Sequence, residues 1–180
     1  SVLEAAGASG VVLEDQKRPR RCGHFEGKQI MPLDEYLAKL RSVLTTRRDM
    51  LVIARTDAAD LDDIRQRVEA FAAAGADAVL VDGLASLEIV RELSQRVDRP
   101  FCFNQIAGGK SPPCTHSELR DAGVSLVIYS TPCLFAAQAA IDDALLDLKA
   151  RDGILAGSRI GVKDCTQILT ENLARRDARP

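Results

Sequence analysis

The run Leu13-Glu14-Asp15-Gln16-Lys17-Arg18-Pro19-Arg20-Arg21-Cys22-Gly23-His24 gathers residue types that do chemistry. An apolar segment, Gly10-Val11-Val12-Leu13, leads straight into two carboxylates. A basic loop follows and ends in cysteine, glycine and histidine. Carboxylates at the C-terminal end of a buried strand can hold a hard cation such as Mg²⁺, which takes oxygen ligands. A cysteine flanked by Arg21 and His24 lies in a field that favours its thiolate. Gly23 lets the backbone bend or approach a ligand closely. The competing reading is a strand end followed by a solvated basic turn with an ordinary cysteine.

These residues need elements to place them, and one pattern recurs: a helix, a Gly-Ala or Ala-Gly pair, then a short apolar strand with a polar end. Gly7 to Asp15, Gly75 to Gly83 and Ala122 to Ser130 are its three instances. Two further strands fit between them: Leu51-Val52-Ile53-Ala54, ending in Arg55-Thr56-Asp57, and Pro100-Phe101-Cys102-Phe103, ending in Asn104-Gln105. Continuous apolar strands of this kind belong to parallel sheets covered by helices. Apolar periodicity predicts helices over Pro32–Leu44, Asp60–Ala74, Leu87–Val97, Pro132–Ala150 and Val162–Arg175. A capping box, Thr115 to Glu118, opens another that runs to Asp121. Two folds accept about five strand–helix units: a doubly wound sheet or part of a (β/α)8 barrel. Glu14, Asp15, Arg55, Asp57, Asp82 and Asn104 all fall at C-terminal strand ends, where a barrel would gather them at one mouth. No Gly-x-Gly-x-x-Gly follows the first strand. The expectation is therefore an α/β fold, a (β/α)8 TIM-type barrel incomplete in this chain. Residues 1–153 form the partial barrel with the catalytic loop, and 154–180 form a C-terminal helical tail.

With 180 residues and a net charge of −2, the chain has no basic footprint for nucleic acid and no polybasic membrane face. Its apolar runs are too short to span a bilayer, and Ser1-Val2-Leu3-Glu4, without a basic start or a long apolar core, does not read as a signal peptide. Five cysteines, scattered and without C-x-x-C spacing, predict reduced thiols and a cytoplasmic protein. Ser1 to Ala6 reads as the end of a helix stopped by Gly7, with no initiator methionine. The expectation is the C-terminal part of something longer.

Four segments carry a resemblance: Leu13-Glu14-Asp15-Gln16, Arg20-Arg21-Cys22-Gly23-His24, Ala54-Arg55-Thr56-Asp57-Ala58 and Asn104-Gln105-Ile106-Ala107-Gly108-Gly109. Together they resemble the isocitrate lyase and phosphoenolpyruvate mutase superfamily, over roughly residues 5 to 150. The resemblance implies a barrel enzyme dependent on Mg²⁺, with Mn²⁺ as the substitute, acting on small 2-oxo or 2-hydroxy carboxylates as a homo-oligomer, dimer or tetramer. The Cys-Gly-His loop is similar to that of the carbon–carbon lyases. Gly108 to Pro112 is similar to the dimethylmalate lyase and carboxyphosphonoenolpyruvate mutase branches. Three features depart from the pattern. The N-terminal strands with the Asp-x-Asp metal motif are absent, Asp82 stands where the lyases carry Glu, and Ala107 closes the Asn-x-x-Glu motif.

By the same resemblance, Glu14 is the expected metal residue, through a bound water. Cys22, His24 and Arg55 are the expected catalytic residues, and Arg21, Gly23, Arg55, Asp82 and Asn104 the substrate-binding ones. The implied chemistry is a retro-aldol cleavage with Cys22 as the acid. The alternatives are a phosphonoenolpyruvate-type mutase or oxaloacetate-acting enzyme of the same barrel, and a truncated remnant without activity. From its residue types alone, Arg55 has a structural alternative, pairing with Asp57 or Asp82. Asp15 has the alternative of anchoring the loop.

Overall fold

A computed structural model describes residues 2–155 and 157–178. Five strands, β1 (Gly10–Glu14), β2 (Leu51–Thr56), β3 (Ala78–Val81), β4 (Phe101–Asn104) and β5 (Val124–Ile128), form one sheet in sequential order. Every neighbouring pair is parallel. A sheet wound in one direction is that of a barrel segment, whereas a doubly wound sheet reverses its strand order at a switch point. The short helix α1 (Val2–Ala5) precedes β1. Helices α2 (Leu33–Thr46), α3 (Leu61–Ala73), α4 (Leu87–Gln95) and α5 (His116–Asp121) make the crossovers between successive strands. The five strands and the predicted helices are all present, most with ends shifted by a residue or two.

Local chemistry explains where helices start. Asp60 accepts a hydrogen bond from the Asp63 amide at the start of α3, and Ser86 does the same for Ile89 in α4. The Thr115–Glu118 capping box is formed in both directions.

The two-residue period of the strands sorts their side chains onto two faces. Val52, Ala54, Val79, Val81, Phe101 and Phe103 face the helices and pack with Tyr36, Leu40, Val68, Phe71, Val90 and Leu93 in the main core. The other face holds a smaller cluster of Ala78, Leu80 and Cys102 with Ile53 and Ile128. Glu14, Arg55, Asp82 and Asn104 have the parity of this second face, at its C-terminal end. Tyr36 of α2 ties the layers together: its ring lies 4.6 Å from that of Phe71, and its hydroxyl donates to the Leu13 carbonyl at 2.7 Å.

The chain divides into two compact units, Ser1–Pro132 and Cys133–Pro180. Helices α6 (Pro132–Ala150), which belongs to the second unit from Cys133 on, and α7 (Val162–Asp177) bury none of their described residues. No helix among the described residues is long and apolar enough to cross a membrane.

Candidate active site

Register brings the site residues into one row. Glu14 pairs with Arg55 across β1 and β2. One step further along, Asp57, Asp82 and Asn104 leave the ends of β2, β3 and β4. Arg55 is the hub. Its Nε and Nη2 donate to the two oxygens of Asp57 at 2.9 and 2.8 Å, and Nη2 also donates to Asp82 at 2.5 Å. Glu14 lies 3.9 Å from Nε. Burial works against the charge of Arg55, but these carboxylates hold its pKa above the ordinary value. The fork expected to clamp a substrate is thus engaged by Asp57 and Asp82, which leaves Nη1 as the donor these bonds do not use.

Asp82 is buried and also accepts from the Asn104 Nδ2 at 2.8 Å. The Asn104 carbonyl oxygen in turn accepts from the Ser130 hydroxyl at 2.7 Å. This orients the amide and leaves its second Nδ2 hydrogen for another acceptor. Glu14 is engaged on its outer side by Arg20, whose Nε and Nη2 donate to it at 2.6 and 3.0 Å.

Asp15 has the anchoring role. It is fully buried, accepts the Asp57 amide at 3.0 Å and pairs with Arg67 at 3.1 Å. Burial pushes its carboxyl pKa up, against the lowering effect of Thr56, Asp57 and Arg67. Arg67, which also donates to the Met31 carbonyl, was not among the residues expected at the site. Its signal lies in the helix pattern: in α3 it sits at apolar-face spacing between Ile64, Val68 and Phe71, where a cation needs a buried partner.

The loop from Gln16 to Ile30 folds over this row. Gln16 braces it by exchanging two hydrogen bonds of 2.8 Å with the Arg21 backbone, and bridges to Ile30 at its far end. Gly23 is buried, and a Cβ there would collide with the carboxylates of Asp82 and Asp57. Of the two reasons for glycine at this place, close approach applies: no positive φ occurs there. Lys28 donates to the Gly23 carbonyl. His24 is 8% exposed, with Nε2 3.6 Å from Asp82 and Nδ1 accepting the Lys110 amide at 2.8 Å. Cys22 and Arg21 are exposed on the same loop. The structure therefore gathers Gly23, His24, Arg55, Asp82 and Asn104, with Glu14 at one side. It leaves Cys22 and Arg21 outward. Among the other cysteines, burial pushes Cys102 up to about 11, which keeps it a neutral thiol.

A wound parallel sheet with charged groups at its strand ends and a loop closing over them defines a barrel-type enzyme class. The family model for phosphoenolpyruvate phosphomutase matches residues 1–149. The chain is 35% identical to the 2-methylisocitrate lyase of Aeropyrum pernix over 149 residues, covering 81% of this chain and 48% of that one. It is 36% identical to the chloroplastic carboxyvinyl-carboxyphosphonate phosphorylmutase of Arabidopsis thaliana, covering 82% and 46%. Among solved structures, 2,3-dimethylmalate lyase aligns with a TM-score of 0.88 at 28% identity, over 96% of this chain and 60% of that one. Oxaloacetate acetylhydrolase in complex with 3,3-difluorooxalacetate aligns at 0.87 and 29%, over 97% and 62%. The chain belongs to the phosphoenolpyruvate phosphomutase family, within the isocitrate lyase superfamily. It spans about half the length of the curated relatives it matches.

Proposed function

We propose that this chain supplies the cysteine-loop side of a carbon–carbon lyase site that cleaves a small 2-hydroxy di- or tricarboxylate. The observation that carries this reading is the seating of Gly23-His24 on the Asp57, Asp82 and Arg55 cluster, which brings a thiol-bearing loop to the barrel mouth. In a retro-aldol cleavage a base takes the substrate hydroxyl proton and the carbon–carbon bond breaks. Its electron pair passes to a carboxylate-stabilised carbanion. Cys22 gives that carbanion its thiol proton, and the thiolate is reprotonated from solvent when the loop opens. Arg55, through Nη1, and Asn104, through its second Nδ2 hydrogen, hold the substrate carboxylate. Substrate entering the row lifts Gly23 from the carboxylates, and the loop turns Cys22 inward as it closes on substrate instead.

The superfamily implies Mg²⁺, which would polarise the oxo-acid half of such a substrate. The residues here do not fit a complete site for it. Among the described residues, no group of three or more His, Cys, Asp or Glu side chains is placed to hold a metal. Glu14 is engaged by Arg20, and Asp57 and Asp82 by Arg55.

The test is Cys22→Ala in the protein expressed from its full reading frame. Turnover should fall about 10²- to 10⁴-fold, the usual range for a lost general acid, while oxalate still binds. Near-normal turnover would remove the lyase assignment and favour the mutase reading, since phosphoryl rearrangement needs no such acid. The free cysteines support a reduced, cytoplasmic setting. Exposed apolar side chains on α6, among them Leu134, Phe135, Ile141, Leu145 and Leu146, support self-association, with 154–180 as an arm toward a second copy.

A further inference from the structure

The turn after β4 touches the loop after β1 at three points, and none belongs to the chemistry described above. The Lys110 amide donates to the His24 Nδ1 at 2.8 Å. The Lys110 ammonium donates to Glu26, two residues further along the loop, at 2.5 Å. Gly109 lies close against the imidazole: a Cβ there would be 2.5 Å from Nδ1 and 3.0 Å from Cε1.

A backbone amide is only a donor. The nitrogen that faces it must accept, so the ring proton sits on Nε2 whenever this contact is made. That places an N–H toward Asp82, 3.6 Å away, on a nitrogen that is fully buried and makes no hydrogen bond of its own. A buried donor whose nearest carboxylate lies beyond hydrogen-bond reach is open to an acceptor from another group.

We propose that the Gly109–Lys110 peptide is the catch of the β1–α2 loop. Its amide holds the loop shut through His24 and sets that ring in the Nε2–H tautomer, which presents a donor to the substrate row. Gly109 and Lys110 are positioning residues that act through His24. The usefulness of that donor rests on the lyase reading. The catch itself does not, and it is tested without turnover. Gly109 has no positive φ, so alanine there meets no backbone strain and acts only through its collision with His24.

The experiment combines hydrogen exchange over residues 17–30 with ¹⁵N imidazole shifts, which report the tautomer. The chain has two histidines, and His116→Gln leaves the signal of His24 alone. In the unaltered protein, His24 should show an unprotonated Nδ1. Gly109→Ala and Lys110→Pro should each speed loop exchange at least tenfold and mix the tautomers, with exchange in β3 unchanged. Lys110→Ala keeps the amide and should keep the tautomer. Loop exchange and tautomer unmoved by Gly109→Ala would overturn the proposal. So would a loss with Lys110→Ala as large as with Lys110→Pro, which would place the tether in the ammonium. A missing lyase activity beside an intact catch would count against the function alone.

Discussion

Gly23 is where one hydrogen decides the site. The carboxylates of Asp82 and Asp57 occupy the space that any side chain would need. Gly23→Ala should therefore unseat the loop while leaving the core untouched. Trypsin should then cut at Lys17, Arg20 or Arg21 markedly faster, with the thermal midpoint nearly unchanged. Arg67 is the opposite case, a residue whose loss is felt in folding. Arg67→Met strands Asp15 as a buried, uncompensated charge, at a cost of about 3–5 kcal/mol in urea unfolding at neutral pH. The pH dependence has a definite sign. Burial raises the folded pKa of Asp15 above its ordinary 3.8, so the folded state holds the proton more tightly. Stability from this group declines as pH rises through that window. Without Arg67 the decline steepens, and the deficit of Arg67→Met should be larger at pH 7 than at pH 4.

At the scale of elements, apolar runs bounded by glycine and polar ends are strong signals because burial on both faces forces continuous hydrophobicity. That is why β2, β3 and β4 were readable, and why Thr115-x-x-Glu118 marked the start of α5. The contacts between helices were not readable, since side chains far apart in sequence meet there. One such contact makes a prediction. Hydrogen bonds from Arg65 hold the Glu92 carboxyl down at about 2, against the opposing effect of desolvation and with help from Arg96. Its folded pKa is lowered from 4.5, so its contribution is present above 4.5 and is lost as pH falls toward 2. Glu92→Gln should lower the thermal midpoint at pH 6, and the difference from the unaltered protein should vanish as pH approaches 2. An unvarying difference would show that the Arg65–Glu92–Arg96 group does not link α3 to α4 electrostatically.

For the whole molecule, two expectations concern the 180-residue chain by itself. Calorimetry should detect no Mg²⁺ binding, because the described residues offer no set of free oxygen ligands. Self-association is also expected. Val12, Leu51 and Leu126 are exposed on the strands, and α6 and α7 carry exposed Leu145, Leu146, Ile168 and Leu169. Strand edges and apolar patches of this kind draw partners. Light scattering should show oligomers whose proportion rises with concentration. Replacing Leu145 and Leu146 with glutamate should reduce them. A concentration-independent monomer would rule out α6 as a contact surface.

The strand–helix alternation and the family were legible in the sequence itself, because periodicity and short motifs are local properties of the chain, whereas the sequential strand order that separates a barrel segment from a doubly wound sheet is a property of the fold. The sequence placed Glu14, Arg55, Asp82 and Asn104 at strand ends, and the sequential parallel order of the sheet brings them together. Which of them are free to meet a substrate was a matter for the tertiary structure. Arg55 could have been a clamp or a structural partner until Asp57 and Asp82 were seen to take its Nε and Nη2. Cys22 faces outward while Gly23 and His24 are buried, although the three are adjacent in sequence. The loop's seat depends on Gly109 and Lys110, some 86 residues from His24. No local pattern encodes a contact at that separation, because only the winding of the sheet brings the ends of β1 and β4 to the same mouth.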